Sequence, residues 1–440
     1  MFARNAVASV CSASTIARCP AGSAPRSWCL ACALLLLLAL AGLGVVVPLA
    51  ARMRQEPRAA DQLAAVRRML AAVPLVDGHN DLAWNLRKFV HNQLHRFNFS
   101  ADLRAVGPWS RSPWSQTDLP RLRAGMVGAQ FWSAYVPCES QYKDAVQLTL
   151  EQINVIRRLT DSYGAQLSFA TSSEDVWRAH RSGRLASLVG VEGGHSLGAS
   201  LGVLRAMYDL GVRYLTLTHS CHTPWADSSS ESLLDSSTGG QGLTDFGKVV
   251  VMEMNRLGML VDLSHAAPAT VMAALNATRS PVIFSHSCAQ ALCNASRNVP
   301  DAVLRLLAQN GGLVMVSFYA DFLTCSSTAR LEDVMRHVTY IRDVAGEDHV
   351  GIGAGYDGIN RTPQGLEDVS RYPHLLAELA RTRGWTMPQL EKLAGRNLLR
   401  VLGKAEKVKE ELRRLSVDPR EDWIPPAVLG DRNQAGCLGR

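Results

Sequence analysis

Histidine and acidic residues recur where short apolar runs of the sequence end. Two of these ends, "VDGHND" and "VGVEGG", contain His79, Asp81 and Glu192. Two others, "LVDLSH" and "VIFSHS", contain His265 and His286. Imidazole and carboxylate groups bind divalent metals, and these five exceed the four ligands of one tetrahedral zinc ion. The set therefore suits a two-metal site about 3.5–4 Å across, in which the carboxylate of Glu192 bridges the two ions.

Two further residues could act on a substrate. The segment "YLTLTHSCHTPW" contains His219 and His222, and "NASRNVP" contains Arg297. His219 could donate a hydrogen bond to a substrate carbonyl or to the oxyanion formed from it, or it could be a structural histidine. Arg297 could bind a substrate carboxylate in a bidentate pair, although a loop arginine is usually solvated. His222 could reach the same region.

Eight apolar or β-branched runs alternate with segments of helical periodicity between about residues 70 and 403. The predicted strands are Leu75–Asp81, Met126–Val136, Ala186–Gly193, Tyr214–Ser220, Met259–His265, Val282–Ser287, Gly312–Phe318 and Val350–Asp357. Repeated strand, helix, strand units predict parallel pairing with right-handed crossovers. A doubly wound open sheet would also satisfy this pattern. Eight units favour a closed α/β fold, a (β/α)8 TIM-type barrel whose chemistry lies after the C-terminal ends of its strands.

The barrel would bring the four metal-ligand motifs to one rim, because four of the eight predicted strands end in them. Taken alone, each motif is weak, since Asp81 could equally cap a helix beside a structural His79. No G-x-G-x-x-G sequence opens a helix, which argues against a dinucleotide site. The net charge of +7 has no accompanying stripe of basic and aromatic residues, so nucleic acid is not an expected partner.

The ends of the chain predict its compartment. The apolar run Trp28–Ala51 follows arginines and no acid, which predicts a signal peptide or signal-anchor within residues 1–52. Ala39-Leu40-Ala41 offers a cleavage site, so both a membrane-attached and a secreted product are open. Residues 404–440 are expected to form a charged helix and a flexible tail, without a lipid-anchor signal. Either product would place the barrel at the cell surface or outside.

Cysteines and sequons agree with that compartment. Six cysteines follow the apolar run, and none forms a CxxC pair with metal-binding spacing, so disulfides are expected. Asn-x-Ser/Thr sequons, which permit N-glycosylation, occur at Asn98, Asn276, Asn294 and Asn360.

From about Pro74 to Val401 the chain resembles the membrane dipeptidase (renal dipeptidase) family of zinc peptidases, within the amidohydrolase-type barrels. The similarity runs in order through "LVDGHNDL", "VGAQFWSAYVPC", "VGVEGGHSL", "RYLTLTHSCHTPWADS", "VDLSH", "PVIFSHS", "RNVP" and "GLEDVSRYPHLLAEL". The resemblance implies a homodimeric, glycosylated cell-surface enzyme. Its substrates would be dipeptides with a free C-terminal carboxylate, including cysteinylglycine conjugates and some β-lactams.

The resemblance also implies roles for individual residues. One zinc ion would be held by His79, Asp81 and Glu192, and the other by Glu192, His265 and His286. By position, His219 and Arg297 match the family's substrate-binding histidine and arginine. The implied disulfides are Cys138 with Cys221 and Cys293 with Cys325, which leaves Cys288 and Cys437 unassigned. The family's usual C-terminal lipid anchor has no signal here, so attachment would depend on residues 28–51 or another anchor.

A second departure lies in the last predicted strand, "VGIGAGYDG". The family pattern there is Gly-Asp-Phe/Tyr-Asp-Gly, whose first aspartate contacts the substrate and transfers a proton. Gly355 takes that position, and only the second aspartate is kept, as Asp357. On a regular strand Asp357 would lie about 6.6 Å further along, so we expect it to brace the following loop. A bulge that brings it into the site is the alternative.

Three functions are compatible with these residues. The first is a zinc dipeptidase, of reduced activity because Gly355 cannot supply an acid worth about 10²–10⁴-fold in rate. The second is a metal-retaining cell-surface binding protein, a pseudo-dipeptidase. The third is a two-metal hydrolase of cyclic amides or phosphate esters, against which Glu192 as the bridge and Arg297 argue. The stretch "AVGPWSRSPWSQ" over residues 105–116 could be a lid or a dimer contact.

Overall fold

The computed structural model describes residues 60–230, 238–424 and Leu429. The predicted signal or anchor in residues 1–52, Cys437 and the end of the predicted tail lie outside these residues. Within the described part of the chain, no helix combines the length and the apolar composition needed to cross a membrane.

Nine strands form one sheet in which every recorded strand pairing is parallel. The strands are β1 (Leu75–Asn80), β2 (Val127–Tyr135), β3 (Leu167–Phe169), β4 (Leu185–Glu192), β5 (Val212–Thr216), β6 (Leu260–Asp262), β7 (Ile283–Phe284), β8 (Leu313–Val316) and β9 (Val350–Ile352). Because β1 pairs with both β2 and β9, and β2 pairs with β4, eight strands close into a ring. The predicted (β/α)8 barrel is confirmed, and the short β3, which was not predicted, pairs only with β4.

Helices follow most strands and cover the outside of the ring. They span residues 60–72, Leu82–Val90, Leu119–Ala124, Ala145–Ser162, Ser173–Arg181, Leu201–Asp209, Asp245–Leu257, Pro268–Ala277, Asp301–Asn310, Ala320–Leu323, Leu331–Ala345, Tyr372–Arg383, Met387–Glu391 and Asn397–Arg414. Local chemistry fixes many of their ends. Ser172, Ser200 and Thr244 accept backbone N–H groups at helix N-termini, and Gly258 and Gly311 take the left-handed conformation that closes a helix.

Several strands are shorter than predicted at the C-terminal end. The predicted strands Tyr214–Ser220, Met259–His265, Val282–Ser287 and Val350–Asp357 end instead at Thr216, Asp262, Phe284 and Ile352. At β6 and β7 the cause is visible, because Asp262 Oδ1 accepts the backbone N–H groups of Ser264 and Ser285. These contacts replace ladder hydrogen bonds, so the chain leaves the sheet just before His265 and His286.

The interior of the barrel is one apolar cluster that includes Phe131, Leu188, Leu260 and Met315. The helix Asn397–Arg414 adds Leu398, Val401, Leu402 and Ala405 to this cluster. The charged helix predicted to begin at Lys404 is the C-terminal part of this helix, which continues from a π-helical turn at Lys392–Arg396. Its apolar side is buried from Leu398 onward, so packing extends the helix N-terminally beyond the charged segment.

Candidate metal centre

A cavity of about 330 Å³ opens beyond the C-terminal ends of the barrel strands. Every residue predicted for the site except His222 lines it: His79, Asp81, Glu192, His219, His265, His286, Arg297, Gly355 and Asp357. The aromatic residues of its wall are Trp84, Trp114, Tyr135, Tyr319 and Phe322. The cavity thus combines a polar floor with an apolar wall, which is the usual construction of a small-molecule site.

Three of the five predicted metal ligands, the histidines, meet at one carboxylate oxygen of Glu192, and Asp81 contacts one of them. Oε1 of Glu192 lies 3.0 Å from His265 Nε2, 3.3 Å from His286 Nε2 and 3.5 Å from His79 Nε2. Asp81 Oδ2 lies 3.3 Å from the same Nε2 atom of His79. All five residues are buried. The arrangement brings together donors that are far apart in sequence and that metals bind well.

The donor chemistry of this cluster fits a cation. Ligand atoms of two overlapping groups lie within 4.8 Å of one another, one formed by His79, Glu192 and His286 and the other by Glu192, His219 and His265. Burial, with the nearby Arg297 charge, lowers the pKa of His265 and His286 well below the usual range. Both imidazoles are therefore neutral, as metal ligands must be.

The carboxylates of Glu192 and Asp81 stabilise a positive charge on the His79 ring. Burial opposes protonation of His79, but Glu192 and Asp81 raise its pKa well above the usual range. Burial likewise opposes ionisation of Glu192, yet the charge of His79 and the hydrogen bond from His265 keep its pKa well below normal. A metal ion bound here would displace that proton.

His219 lies beside the cluster, where it can reach a substrate. Its Nε2 atom is 3.9 Å from Glu192 Oε1, and its ring packs 4.8 Å from Tyr135 and 4.2 Å from His265. Burial lowers its pKa to about 4, so it is neutral at physiological pH. His222 lies off the cavity, where its Nδ1 accepts the backbone N–H of Ser228.

Arg297 is a buried cation at the cavity wall. Its guanidinium nitrogens lie 3.5 Å from Ser287 Oγ and 3.4 Å from the carbonyl oxygen of His286. No carboxylate in residues 60–230 or 238–424 forms an ion pair with it. Burial lowers its pKa to about 10, at which it remains charged near neutral pH. A buried guanidinium of this kind favours an anionic ligand.

Gly355 leaves room in the cavity where the family pattern has an acid. A Cβ atom built at Gly355 would meet only Ile359 Cγ2 at 3.7 Å and Ser317 Oγ at 3.8 Å. The backbone φ there is +76°, a value that glycine adopts readily. The space for a side chain is therefore present, and the acid is not.

Asp357 braces a loop, as we expected. Its Oδ1 accepts the backbone N–H of Gln116 at 3.0 Å, and its Oδ2 accepts from Asn85 Nδ2 at 3.2 Å. The backbone N–H of Asp357 donates to Gln116 Oε1 at 2.6 Å. These bonds tie residues 105–116 to the loop after β9. That stretch is part of the cavity wall through Trp114, while Trp109 packs into the core.

This brace predicts a specific pH dependence of stability. Burial raises the pKa of Asp357 from 3.8 to about 6. Between these two pH values the folded chain keeps a proton on Asp357 that the unfolded chain has lost. The stabilisation is present below about pH 4 and is lost as the pH rises through about 6. Relative to Asp357→Asn, the wild-type free energy of unfolding should fall by about 2 kcal/mol between pH 4 and pH 7. Urea unfolding of both proteins measures this, and a pH-independent difference would contradict it.

Two disulfides hold the loops around the cavity. Cys138 is bonded to Cys221, and Cys293 to Cys325, as the resemblance implied. The first joins the loops after β2 and β5 next to His219, whose Nδ1 lies 3.9 Å from Cys138 Sγ. Cys288 is buried and free.

Sequence reasoning missed the polar residues behind the metal ligands. Tyr214, Asp262 and Ser285 are fully buried and hydrogen-bonded to or near the ligand histidines. Asp262 and Ser285 stand inside "LVDLSH" and "VIFSHS", so a polar residue within an apolar strand was the available signal.

A family model described as membrane dipeptidase (peptidase family M19) matches residues 63–416. Dipeptidase 3 of Rattus norvegicus is 49% identical over 356 residues, which are 81% of this chain and 69% of that protein. Dipeptidase 3 of Homo sapiens is 47% identical over 373 residues, or 85% and 73% of the two chains. A solved metallo peptidase from Rhodobacter sphaeroides, liganded with a phosphinate mimic of the dipeptide L-Ala-D-Ala, has a TM-score of 0.68 and 26% identity, with 76% of this chain and 99% of that chain covered.

Proposed function

Because the chain belongs to the membrane dipeptidase family and is a metallo-dipeptidase, we propose that it hydrolyses dipeptides with a free C-terminal carboxylate, using two zinc ions. One ion would be held by His79, Asp81 and Glu192. The other would be held by Glu192, His265 and His286, with Glu192 shared. The donor groups in the structure divide the histidines differently, with His286 beside His79 and His219 beside His265, but both groups contain Glu192. This sharing of Glu192 supports a site for two ions.

The observation that carries this proposal is the buried guanidinium of Arg297. It lies at the cavity wall beside the histidine cluster, without an acidic partner in the described part of the chain. A dipeptide presents one carboxylate close to its single peptide bond. An enzyme that binds this carboxylate next to its metal site therefore selects dipeptides by length. The similar Rhodobacter structure, which holds a dipeptide mimic, also supports this substrate class.

The chain's own residues would bind the substrate, stabilise the oxyanion and exclude water. When bound, the two ions would supply Lewis-acid activation of a water molecule and of the scissile carbonyl. Arg297 holds the substrate carboxylate and fixes the peptide bond over the cluster. Neutral His219 donates a hydrogen bond to the oxyanion as it develops. The aromatic wall formed by Trp84, Trp114 and Tyr135 excludes water around the substrate side chains.

Protonation of the leaving amine is the step that the residues of this site support least. The leaving amine needs a proton, and because Gly355 offers no acid, that proton would have to come from solvent water. Asp357 is held away from that role by Gln116 and Asn85. We therefore propose that hydrolysis is slow compared with what the rest of the site would allow.

Replacement of Arg297 tests the proposed substrate class. Arg297→Gln should lower kcat/KM for a dipeptide by roughly 10- to 100-fold, because hydrogen bonds to a charged group contribute about 1.5–3 kcal/mol. It should change the much slower cleavage of the matching dipeptide amide little, since the amide has no carboxylate. Arg305→Gln, at an exposed arginine, is the matched control. Equal losses on the dipeptide and its amide would contradict a carboxylate-binding role.

Gly355 favours one alternative, a metal-retaining pseudo-dipeptidase that binds ligands at the cell surface. The ligand set would then keep its metal while the proton-transfer step is lost. The two functions differ in whether an added acid restores hydrolysis.

We also propose a secretory-pathway location, and a homodimeric assembly because the family resemblance implies one. The two disulfides favour an oxidising compartment. Three sequon asparagines, Asn98, Asn276 and Asn294, are exposed and open to glycosylation, whereas Asn360 is half-buried. Membrane attachment would depend on residues 28–51, and cleavage there would give a secreted form.

A further inference from the structure

The three ligand histidines differ in what lies behind them. Each directs Nε2 toward Glu192 Oε1, at 3.0 to 3.5 Å. Each therefore directs Nδ1 away from the proposed metals. A histidine that binds metal through Nε2 carries its proton on Nδ1, and a partner for that proton fixes the ring and its tautomer. The partners of the three Nδ1 atoms are not equivalent.

Behind His286 lies a relay of two buried side chains. His286 Nδ1 is 2.8 Å from Ser285 Oγ, and Ser285 Oγ is 2.6 Å from Asp262 Oδ2. The Ser285 hydroxyl has one proton, which it donates to the Asp262 carboxylate. Its oxygen must then accept the proton of His286 Nδ1. The relay thus leaves the lone pair of Nε2 free to bind a metal.

Asp262 is itself held firmly. Its oxygens accept the hydroxyl of Thr216 at 2.6 Å and the backbone N–H groups of Ser264 and Ser285 at 3.1 and 2.8 Å. It lies at the end of β6, and Ser285 follows β7 directly. The barrel wall therefore sets the orientation of His286.

Behind His79 lies a tyrosine inside the barrel. His79 Nδ1 is 3.0 Å from Tyr214 Oη, which donates to the carbonyl oxygen of Gly78 at 3.3 Å. Tyr214 can occupy this place because the residue opposite it is Gly190, where an added Cβ would lie 2.0 Å from the tyrosine ring. His79 thus also has a fixed acceptor for its Nδ1 proton.

His265 has no such support. Its Nδ1 is buried and has no hydrogen-bond partner in the described part of the structure. Its backbone adopts a left-handed φ of +67°, which is uncommon for a residue other than glycine. Its only recorded side-chain hydrogen bonds are those of Nε2 to Glu192 and His286. Its orientation is the least constrained of the three.

We propose that Tyr214 and the Ser285–Asp262 relay are positioning residues, each for a different metal ion, and that the ion contacted by His265 is the more weakly held. This inference rests on the proposed two-ion site. Tyr214 supports the ion of His79, Asp81 and Glu192. The relay supports the other ion, which has one supported ligand, His286, and one unsupported ligand, His265. The chain then binds its two ions in two separate steps.

The test is a titration of the metal-free full chain with Zn²⁺ by calorimetry, repeated with Co²⁺ by visible absorption. The wild type should bind two ions with affinities at least about tenfold apart. Ser285→Ala should weaken binding at the site of Glu192, His265 and His286 by about 10- to 100-fold, which widens the gap between the two affinities. Tyr214→Phe should weaken binding at the site of His79, Asp81 and Glu192 by the same factor, which closes or reverses the gap. Ser285→Thr keeps the hydroxyl and should bind both ions as the wild type does.

Binding of fewer than two ions by the wild type would overturn the proposed function and, with it, this inference. Binding of two ions with equal affinities, or equal weakening of both steps by each variant, would overturn the inference alone. Thermal unfolding of each metal-free variant shows whether the fold is retained. Because Tyr214→Phe removes only a hydroxyl group from a side chain whose ring stays in place, it provides a result even if Ser285→Ala proves unstable.

Discussion

Glu192→Gln is expected to lower kcat/KM for dipeptides by more than about 10³-fold, since loss of a single oxyanion donor already costs about 10²–10³-fold. Oε1 of Glu192 is the point at which the Nε2 atoms of His79, His265 and His286 converge. A carboxylate can bind one cation with each oxygen, whereas the amide of glutamine offers one neutral oxygen and two N–H donors. The variant should therefore lose both the shared ligand and the charge that the cluster is built around.

Glu410→Gln is the matched control, because Glu410 is a surface residue whose ion pair in the described part of the chain is with Arg413. It should leave dipeptide hydrolysis unchanged. Steady-state kinetics on both variants, with thermal unfolding to confirm folding, give the comparison. Hydrolysis by Glu192→Gln within tenfold of the wild-type rate would contradict the assignment of Glu192 as the shared metal ligand.

Gly355→Asp is expected to raise kcat for dipeptides, by as much as about 10²–10⁴-fold, the usual contribution of a positioned acid. The cavity has space at this position, since the nearest atoms to an added Cβ are 3.7 and 3.8 Å away. The φ of +76° is unfavourable for most side chains, but aspartate is among the residues that tolerate it. We expect a loss of stability of roughly 1–2 kcal/mol from this conformation.

Gly355→Asn separates the effect of the acid from that of the shape. It has nearly the same size and backbone strain as the aspartate variant but cannot transfer the proton, so it should gain no activity. A gain with Asp and none with Asn would show that the rest of the site is competent. If a folded, metal-loaded Gly355→Asp variant gains no activity, the proposal that the missing acid at residue 355 slows hydrolysis is contradicted.

The barrel was predictable because its signal is repeated along the chain. Eight apolar runs separated by helical segments allow few topologies, and closure needs only the parallel pairing that such units impose. The ends of the strands were less accessible to sequence reasoning. The backbone N–H groups of Ser264 and Ser285 donate to the Asp262 carboxylate instead of to a neighbouring strand. These two donors follow different strands, so the contact cannot be read from either strand's sequence alone. The three residues of β3 are too few to show a periodicity.

The first layer of the site was predictable from residue types at strand ends, because histidine and acid there have few other uses. The buried polar residues that hydrogen-bond to the metal-ligand histidines were not predictable in this way. Tyr214 lies inside the barrel only because Gly190 makes room for it on a different strand. Likewise, the bond from Asp357 to Gln116 joins residues 241 positions apart. The interpretation of Asp357 as a brace agrees with these contacts, whereas the place of residues 105–116 in the cavity wall could be seen only in three dimensions.

The most direct measurement follows hydrolysis of a small dipeptide while the metal-free chain is titrated with Zn²⁺. We predict no hydrolysis without metal, and activity that rises with loading and saturates at two ions per chain, in the wild type but not in Glu192→Gln. Full activity with fewer than two ions would contradict the two-metal site. A chain that binds two ions and still leaves every dipeptide intact would contradict the proposed function itself.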